Sequence, residues 1–262
     1  MIHFALAAFE SDPVAADFLC DYGIKRLPAD AAICEKAVDL LLKQDRSQKA
    51  LGAARKSSAD GTVPEWATRS VLVADIGRLC ALNRHAEALV AYRSLLGTAP
   101  SPAILAKAQR CFAHPSWTVT WFPSDVNPRE HPDAWRADAT KPEAVSAEQP
   151  ALDFKYGRNG PKALNLTPEL TARGPSGENF GMIARAKVTL PAGRWRFALR
   201  SDDGSRLIVN GQPLIDTWIH QTGTTKTGDF EQTADGAVDL VVEYFQLDRW
   251  AELQLLLEPL LE

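Results

Sequence analysis

A chain of 262 residues, 45% apolar and 24% charged, has room for two ordinary domains. Its net charge of −4 is not basic enough to suggest a nucleic-acid backbone as ligand. The longest apolar runs, such as Leu40-Leu41-Leu42 and Leu255-Leu256-Leu257, fall far short of the about 20 residues that a membrane-spanning helix needs.

The segment Met1 to Phe9 is apolar but lacks a basic start, and Glu10 and Asp12 interrupt it at once. It reads as the end of a helix, with any export signal lying outside this sequence. Helical periodicity then runs through the first 115 residues. Leu72, Ile76, Leu79 and Cys80 share one face; Ala88, Leu89, Tyr92, Leu95 and Leu96 share a second; Ile104, Leu105, Ala108 and Phe112 share a third. Pro13, Pro28, Pro64, Pro100 and Pro102 fall between these segments or at their starts.

The segment also repeats. Asp45 to Arg55 aligns without a gap on Asn83 to Arg93, 38 residues later, with Ala50-Leu51 matching Ala88-Leu89. Ala5 to Phe9 is a fainter third copy. A period in the thirties, with small residues where helices cross, is the mark of a helical-hairpin solenoid. Asn83 to Pro100, with Ala88, Tyr92 and Pro100, resembles the second helix of a tetratricopeptide repeat. Cys20, Cys34, Cys80 and Cys111 all lie in this half, with no C-x-x-C pair. They read as small apolar residues in helix interfaces, or as disulfides if the protein is exported.

After Phe112 the period changes to two. Trp117 to Phe122 alternates as a strand. Pro123 to Pro150 shows no period and reads as a long surface connection. Arg194 to Arg200 sets Trp195, Phe197 and Leu199 against an arginine stripe, which reads as a solvated face. Arg206 to Val209 runs into Asn210-Gly211, a strong hairpin signal. Val238, Leu240, Val242 and Tyr244 alternate, and Ala251, Leu253 and Leu255 close the series. Many short alternating strands indicate a sandwich or barrel.

The run Leu199 to Trp218, with Ser201-Asp202-Asp203-Gly204, Asn210-Gly211 and Ile215-Asp216-Thr217-Trp218, resembles the core of the PA14 family. Trp117 to Phe122, Leu152-Asp153-Phe154, Asn179-Phe180, Val242 to Phe245 and Ala251-Glu252-Leu253 resemble its flanking strands in order. The resemblance implies a multi-domain α + β chain: a helical, tetratricopeptide-like solenoid over residues 1–115 and a PA14-like antiparallel β-sandwich over 116–262. It also implies a non-catalytic carbohydrate-binding or adhesion module in an extracytoplasmic setting.

In flocculin members of the family, paired aspartates joined by a cis peptide hold calcium, which in turn holds sugar hydroxyls. That pair corresponds here to Asp202 and Asp203, and a second loop corresponds to Gln246 to Trp250. The implied metal ligands are therefore Asp202, Asp203 and Asp248, with calcium as cofactor. Trp218, Gln246, Arg249 and Trp250 are the implied ligand-binding residues. Calcium takes about six to eight oxygen ligands, which adjacent carboxylates and loop carbonyls can supply. The chain departs from the pattern in carrying Gln246 where those members have Asn, Arg249 beside the site, and Asn210 at the hairpin. A second reading stands beside the metal: Asp202-Asp203-Gly204 as a turn whose carboxylates cap backbone N–H groups.

Catalytic templates are absent. Gly174 to Glu178 is not a nucleophile elbow, and Gly157 to Lys162 lacks phosphate-loop spacing. Neighbouring carboxylates on one turn cannot flank a glycosidic bond. His114 and His220 read as surface or hairpin residues. A glycan partner and a protein partner within a larger assembly are the two functional expectations.

Overall fold

The computed structural model describes Val14, Tyr22, residues 31–58 and residues 60–260. The faint repeat copy at Ala5 to Phe9, and Cys20, lie outside the described residues. Contacts divide the chain into two units, Met1–Cys111 and Phe112–Glu262. The division falls a few residues before the boundary expected from the change of period.

The first unit is helical among its described residues: α1 (Ala31–Lys43), α2 (Ser47–Lys56), α3 (Glu65–Ala81), α4 (His85–Leu96) and α5 (Pro102–Arg110). Helix α1 packs on α2, α2 on α3 and α3 on α4, and α3 also touches α1 and α5. The 38-residue repeat is visible in the backbone. Asp45 and Asn83, with φ of 58° and 57°, sit in the left-handed region just past α1 and α3. The Asp45 N–H donates to Leu42 O at 3.0 Å and the Arg46 N–H to Leu41 O at 2.9 Å; Asn83 donates to Cys80 O at 3.0 Å and Arg84 to Leu79 O at 2.8 Å. Both turns are thus the same Schellman closure, with Asp or Asn tolerating the left-handed position. Ala50 and Ala88, equivalent in the repeat, are both fully buried. Leu96, assigned to the apolar face of α4, is exposed instead. Cys34 and Cys80 are buried, and burial pushes the Cys80 thiol up to about 12, which makes it inert at neutral pH.

The second unit is built from ten strands: β1 (Trp117–Pro123), β2 (Val145–Gln149), β3 (Asp153–Gly157), β4 (Phe180–Leu190), β5 (Gly193–Asp202), β6 (Ser205–Val209), β7 (Gln212–Thr217), β8 (Thr224–Gln232), β9 (Gly236–Gln246) and β10 (Ala251–Leu260). They form a six-stranded sheet, β2-β1-β4-β9-β6-β7, and a four-stranded sheet, β3-β10-β5-β8. All pairings are antiparallel. Alternation along β5 and β9 sends Trp195, Phe197, Leu199, Val238, Leu240, Val242 and Tyr244 into the core, each 1% exposed or less. The β6–β7 hairpin turns through Asn210 and Gly211, both with positive φ, as a type I′ turn demands. The arginine stripe faces solvent and is laced with acids: Arg196 binds Asp229 at 2.7 Å and Arg200 binds Glu252 at 2.6 Å. Such exposed pairs add little to stability.

Residues 123–150 are not a plain connection. They hold α6 (Pro132–Asp138) and the edge strand β2. The helix exists to bury Trp135, whose ring packs 5.1 Å from Phe122 and 5.0 Å from Trp218. Strand β8 was also unexpected, because it is an edge strand whose largely exposed residues leave no apolar alternation to read.

Candidate functional site

Three connections meet at one end of the sandwich. The β5–β6 turn carries Asp202, Asp203 and Gly204; the β7–β8 loop carries Trp218 to Gly223; the β9–β10 loop carries Leu247 to Trp250. The turn is tight because it lies on an aromatic ring. A Cβ on Gly204 would come within 2.2 Å of Phe245 Cε1, so no side chain fits there without displacing the ring. The peptide bond between Asp202 and Asp203 is cis.

Asp203 is buried, at 1% exposure. Its Oδ2 accepts from the Leu247 N–H at 2.9 Å and its Oδ1 from the Gln221 N–H at 3.3 Å. Asp202 accepts from the Gly223 N–H at 2.9 Å, and its carbonyl accepts from the Tyr244 hydroxyl at 2.5 Å. Burial raises the pKa of Asp202, and the neighbouring Asp203 charge raises it further. Burial also raises that of Asp203, against the opposing pull of the Leu247 N–H. Burial thus makes both adjacent carboxylates harder to ionise than in water, and a nearby positive charge opposes that shift.

Gln246 is the joint between the loops. Only 1% exposed, it accepts at Oε1 from the Asp203 N–H at 3.0 Å and, at 2.9 Å, shares the single Tyr244 hydroxyl proton with the Asp202 carbonyl. Its Nε2 donates to the Asp248 and Trp250 carbonyls, the latter at 3.0 Å. The β9–β10 loop is pinned further by Arg249 N–H to Glu178 Oε1 at 2.9 Å and Asn179 N–H to Leu247 O at 3.2 Å.

The structure sorts the residues singled out from sequence. Asp202, Asp203, Asp248, Gln246, Arg249 and Trp250 all gather at this tip. Trp250 is 54% exposed and Arg249 is exposed, so both can meet a ligand. Trp218 cannot stack on a sugar. It is buried among Phe122, Trp135, Ile183 and Phe245, its indole N–H donates to Pro128 O at 2.8 Å, and Arg206 covers its ring at 4.4 Å. Gln246 is likewise too buried to touch a ligand and acts by tying loops together. His220, read as a surface residue, was missed: its Nε2 lies 3.2 Å from both Asp203 Oδ1 and Asp248 Oδ1. No spacing in the sequence links it to either acid.

The donor chemistry at the tip is hard oxygen, from carboxylates and loop carbonyls, which suits calcium rather than a soft metal. Among the described residues no group of three His, Cys, Asp or Glu side chains is disposed to hold a metal. A calcium shell here would have to draw on backbone carbonyls, water or ligand hydroxyls beside Asp202, Asp203 and Asp248.

Two antiparallel sheets thus carry an Asp-Asp-Gly turn and a pinned loop together at one end. Residues 167–260, within the second unit, match the family model described as the PA14 domain. Strands β1, β2 and β3 lie outside the matched stretch. Among solved structures, the chain is similar to a PA14 sugar-binding domain from an RTX adhesin, at 19% identity and a TM-score of 0.41, covering 56% of this chain and 90% of that one. It is similar to the epithelial adhesin 9 A domain of Candida glabrata in complex with Galb1-4GlcNAc, at 12% identity and a TM-score of 0.41, covering 57% and 84%. It is also similar to an anti-sigma factor domain-containing protein from Clostridium clariflavum, at 18% identity and a TM-score of 0.41, covering 56% of this chain and spanning 43% of that one. No curated protein matches the chain.

Proposed function

We propose that the PA14 domain is a non-catalytic glycan-binding module whose site is the tip formed by the β5–β6 turn and the β9–β10 loop. One observation carries this reading: adjacent carboxylates, Asp202 half-buried and Asp203 buried, share the tip with Asp248 and the exposed ring of Trp250. Calcium held by these acids and the loop carbonyls would offer open positions to vicinal sugar hydroxyls. Trp250 would cover the apolar face of the ring, and Arg249 would donate to its oxygens. A calcium affinity of roughly 10⁻⁴–10⁻³ M, the range of extracellular calcium modules, would suit an extracytoplasmic setting. The test is glycan-array binding with millimolar calcium and with EDTA, using wild type and Trp250→Ala. Binding that needs both calcium and Trp250 supports the reading; no glycan retained in calcium sinks it.

A second reading rests on the first unit. The identical closures at Asp45 and Asn83, with Ala50 and Ala88 equally buried, favour a tetratricopeptide-like helical-hairpin solenoid. In that role the helices are a spacer or a docking scaffold for protein partners in a larger assembly. A cross-linking screen that captures partners through residues 31–111 alone would favour the scaffold.

A further inference from the structure

We propose that His220 is an internal competitor for the calcium position and sets the affinity of the tip for the ion. The inference rests on the reading of Asp202, Asp203 and Asp248 as calcium ligands. The β7–β8 loop delivers the His220 ring to the gap between the other two connections. There a single nitrogen, Nε2, lies 3.2 Å from Asp203 Oδ1 and 3.2 Å from Asp248 Oδ1. These two oxygens come from different loops, and a shared cation would have to stand between them. Calcium binds oxygen at roughly 2.3–2.6 Å and does not favour imidazole nitrogen. Ring and ion therefore exclude each other from the same gap.

The rest of the loop is built so that the ring can leave while the backbone stays. The Gln221 N–H donates to Asp203 Oδ1 at 3.3 Å, the Gly223 N–H to Asp202 Oδ2 at 2.9 Å, and the Ile219 N–H to Thr217 O at 2.8 Å. These bonds hold the chain on both sides of His220. The His220 side chain itself is 48% exposed, so rotation carries it into solvent and not into the core. Before calcium arrives, the ring bridges the same two loops that the ion would bridge. The tip thereby keeps its shape, and the ion must displace a hydrogen-bonded group to enter.

The experiment is calcium titration by calorimetry on the full chain, comparing wild type with His220→Ala, together with NMR of the His220 ring in wild type. His220→Ala is expected to bind calcium roughly tenfold more tightly, equivalent to about 1.4 kcal/mol. His220→Asn, which replaces the ring N–H with an amide N–H donor, should fall between the two. In wild type the ring resonances should shift as calcium is added. Equal or weaker affinity in His220→Ala, or ring signals unmoved at saturation, overturns the competition while leaving the calcium site standing. If neither protein binds calcium, the site itself falls and the competitor role falls with it.

Discussion

Gln246→Ala tests whether the tip is joined as described. The wild-type amide is buried and makes four hydrogen bonds that link the Asp202-Asp203 turn, the core hydroxyl of Tyr244 and the β9–β10 loop. Truncation leaves the Asp203 N–H without its acceptor next to a buried side chain, which costs about 1–3 kcal/mol. Tyr244 keeps the Asp202 carbonyl as acceptor, and the half-exposed carbonyls of Asp248 and Trp250 can take water, so they add little. A loss of about 1–3 kcal/mol follows. In a domain of this size each kcal/mol lowers Tm by roughly 2–4 °C, so the β unit should melt roughly 2–12 °C earlier. Urea denaturation followed by tryptophan fluorescence measures it, with Gln246→Glu as a partner. The glutamate keeps an acceptor for Asp203 and Tyr244 but turns a charge on the loop carbonyls. It should therefore be destabilised without calcium and recover when calcium is added. If Gln246→Ala unfolds within about 0.5 kcal/mol of the wild type, the amide is not the joint and the assignment of the four bonds is wrong.

Asp203→Ala should abolish any rise in Tm produced by millimolar calcium, a rise of about 2.7 kcal/mol in stability at a hundred times the dissociation constant; a calcium response that survives the change removes Asp203 from the ligand set. Gly204→Val should destabilise the β unit by about 1–3 kcal/mol or more, because the new side chain meets the Phe245 ring, and differential scanning fluorimetry reads the loss. Ala88→Leu overpacks a fully buried helix contact and should cost about 1–3 kcal/mol in the helical unit, measured by far-UV circular dichroism; a neutral result would show that the repeat register is misplaced. Limited proteolysis should cut within residues 112–116 and release a folded β fragment, identified by mass spectrometry.

The sequence told most where burial alternates cleanly. Strands β5 and β9 were legible because Trp195, Phe197, Leu199 and then Val238, Leu240, Val242, Tyr244 face one way in strict alternation. The Asn210-Gly211 turn was legible because its chemistry demands positive φ at both positions. The region after Pro123 was not, because α6 is short and buries chiefly one large residue, Trp135, among polar neighbours. At the tip, the aspartates and the β9–β10 loop were legible from motif resemblance. The burial of Trp218 was not, since an exposed and a core tryptophan look alike until the partner Trp135 arrives from a distant segment. His220 was invisible for the same reason: its meaning lies in two acids brought to it by other loops.

The matched turns of the helical unit constrain how the chain can change length. Each helix is about 100° of rotation per residue. Losing one residue between Leu41 and Arg46 would break the closure at Asp45 and turn the next helix by that angle. Ala50 would swing from full burial toward solvent, and a larger neighbour such as Leu51 would be driven into its place. Single-residue insertions or deletions near these turns are therefore disruptive. On the proposed hairpin-array reading, gain or loss of a whole 38-residue block would restore the phase of the downstream faces. Length variation in this part of the chain should come in complete repeats.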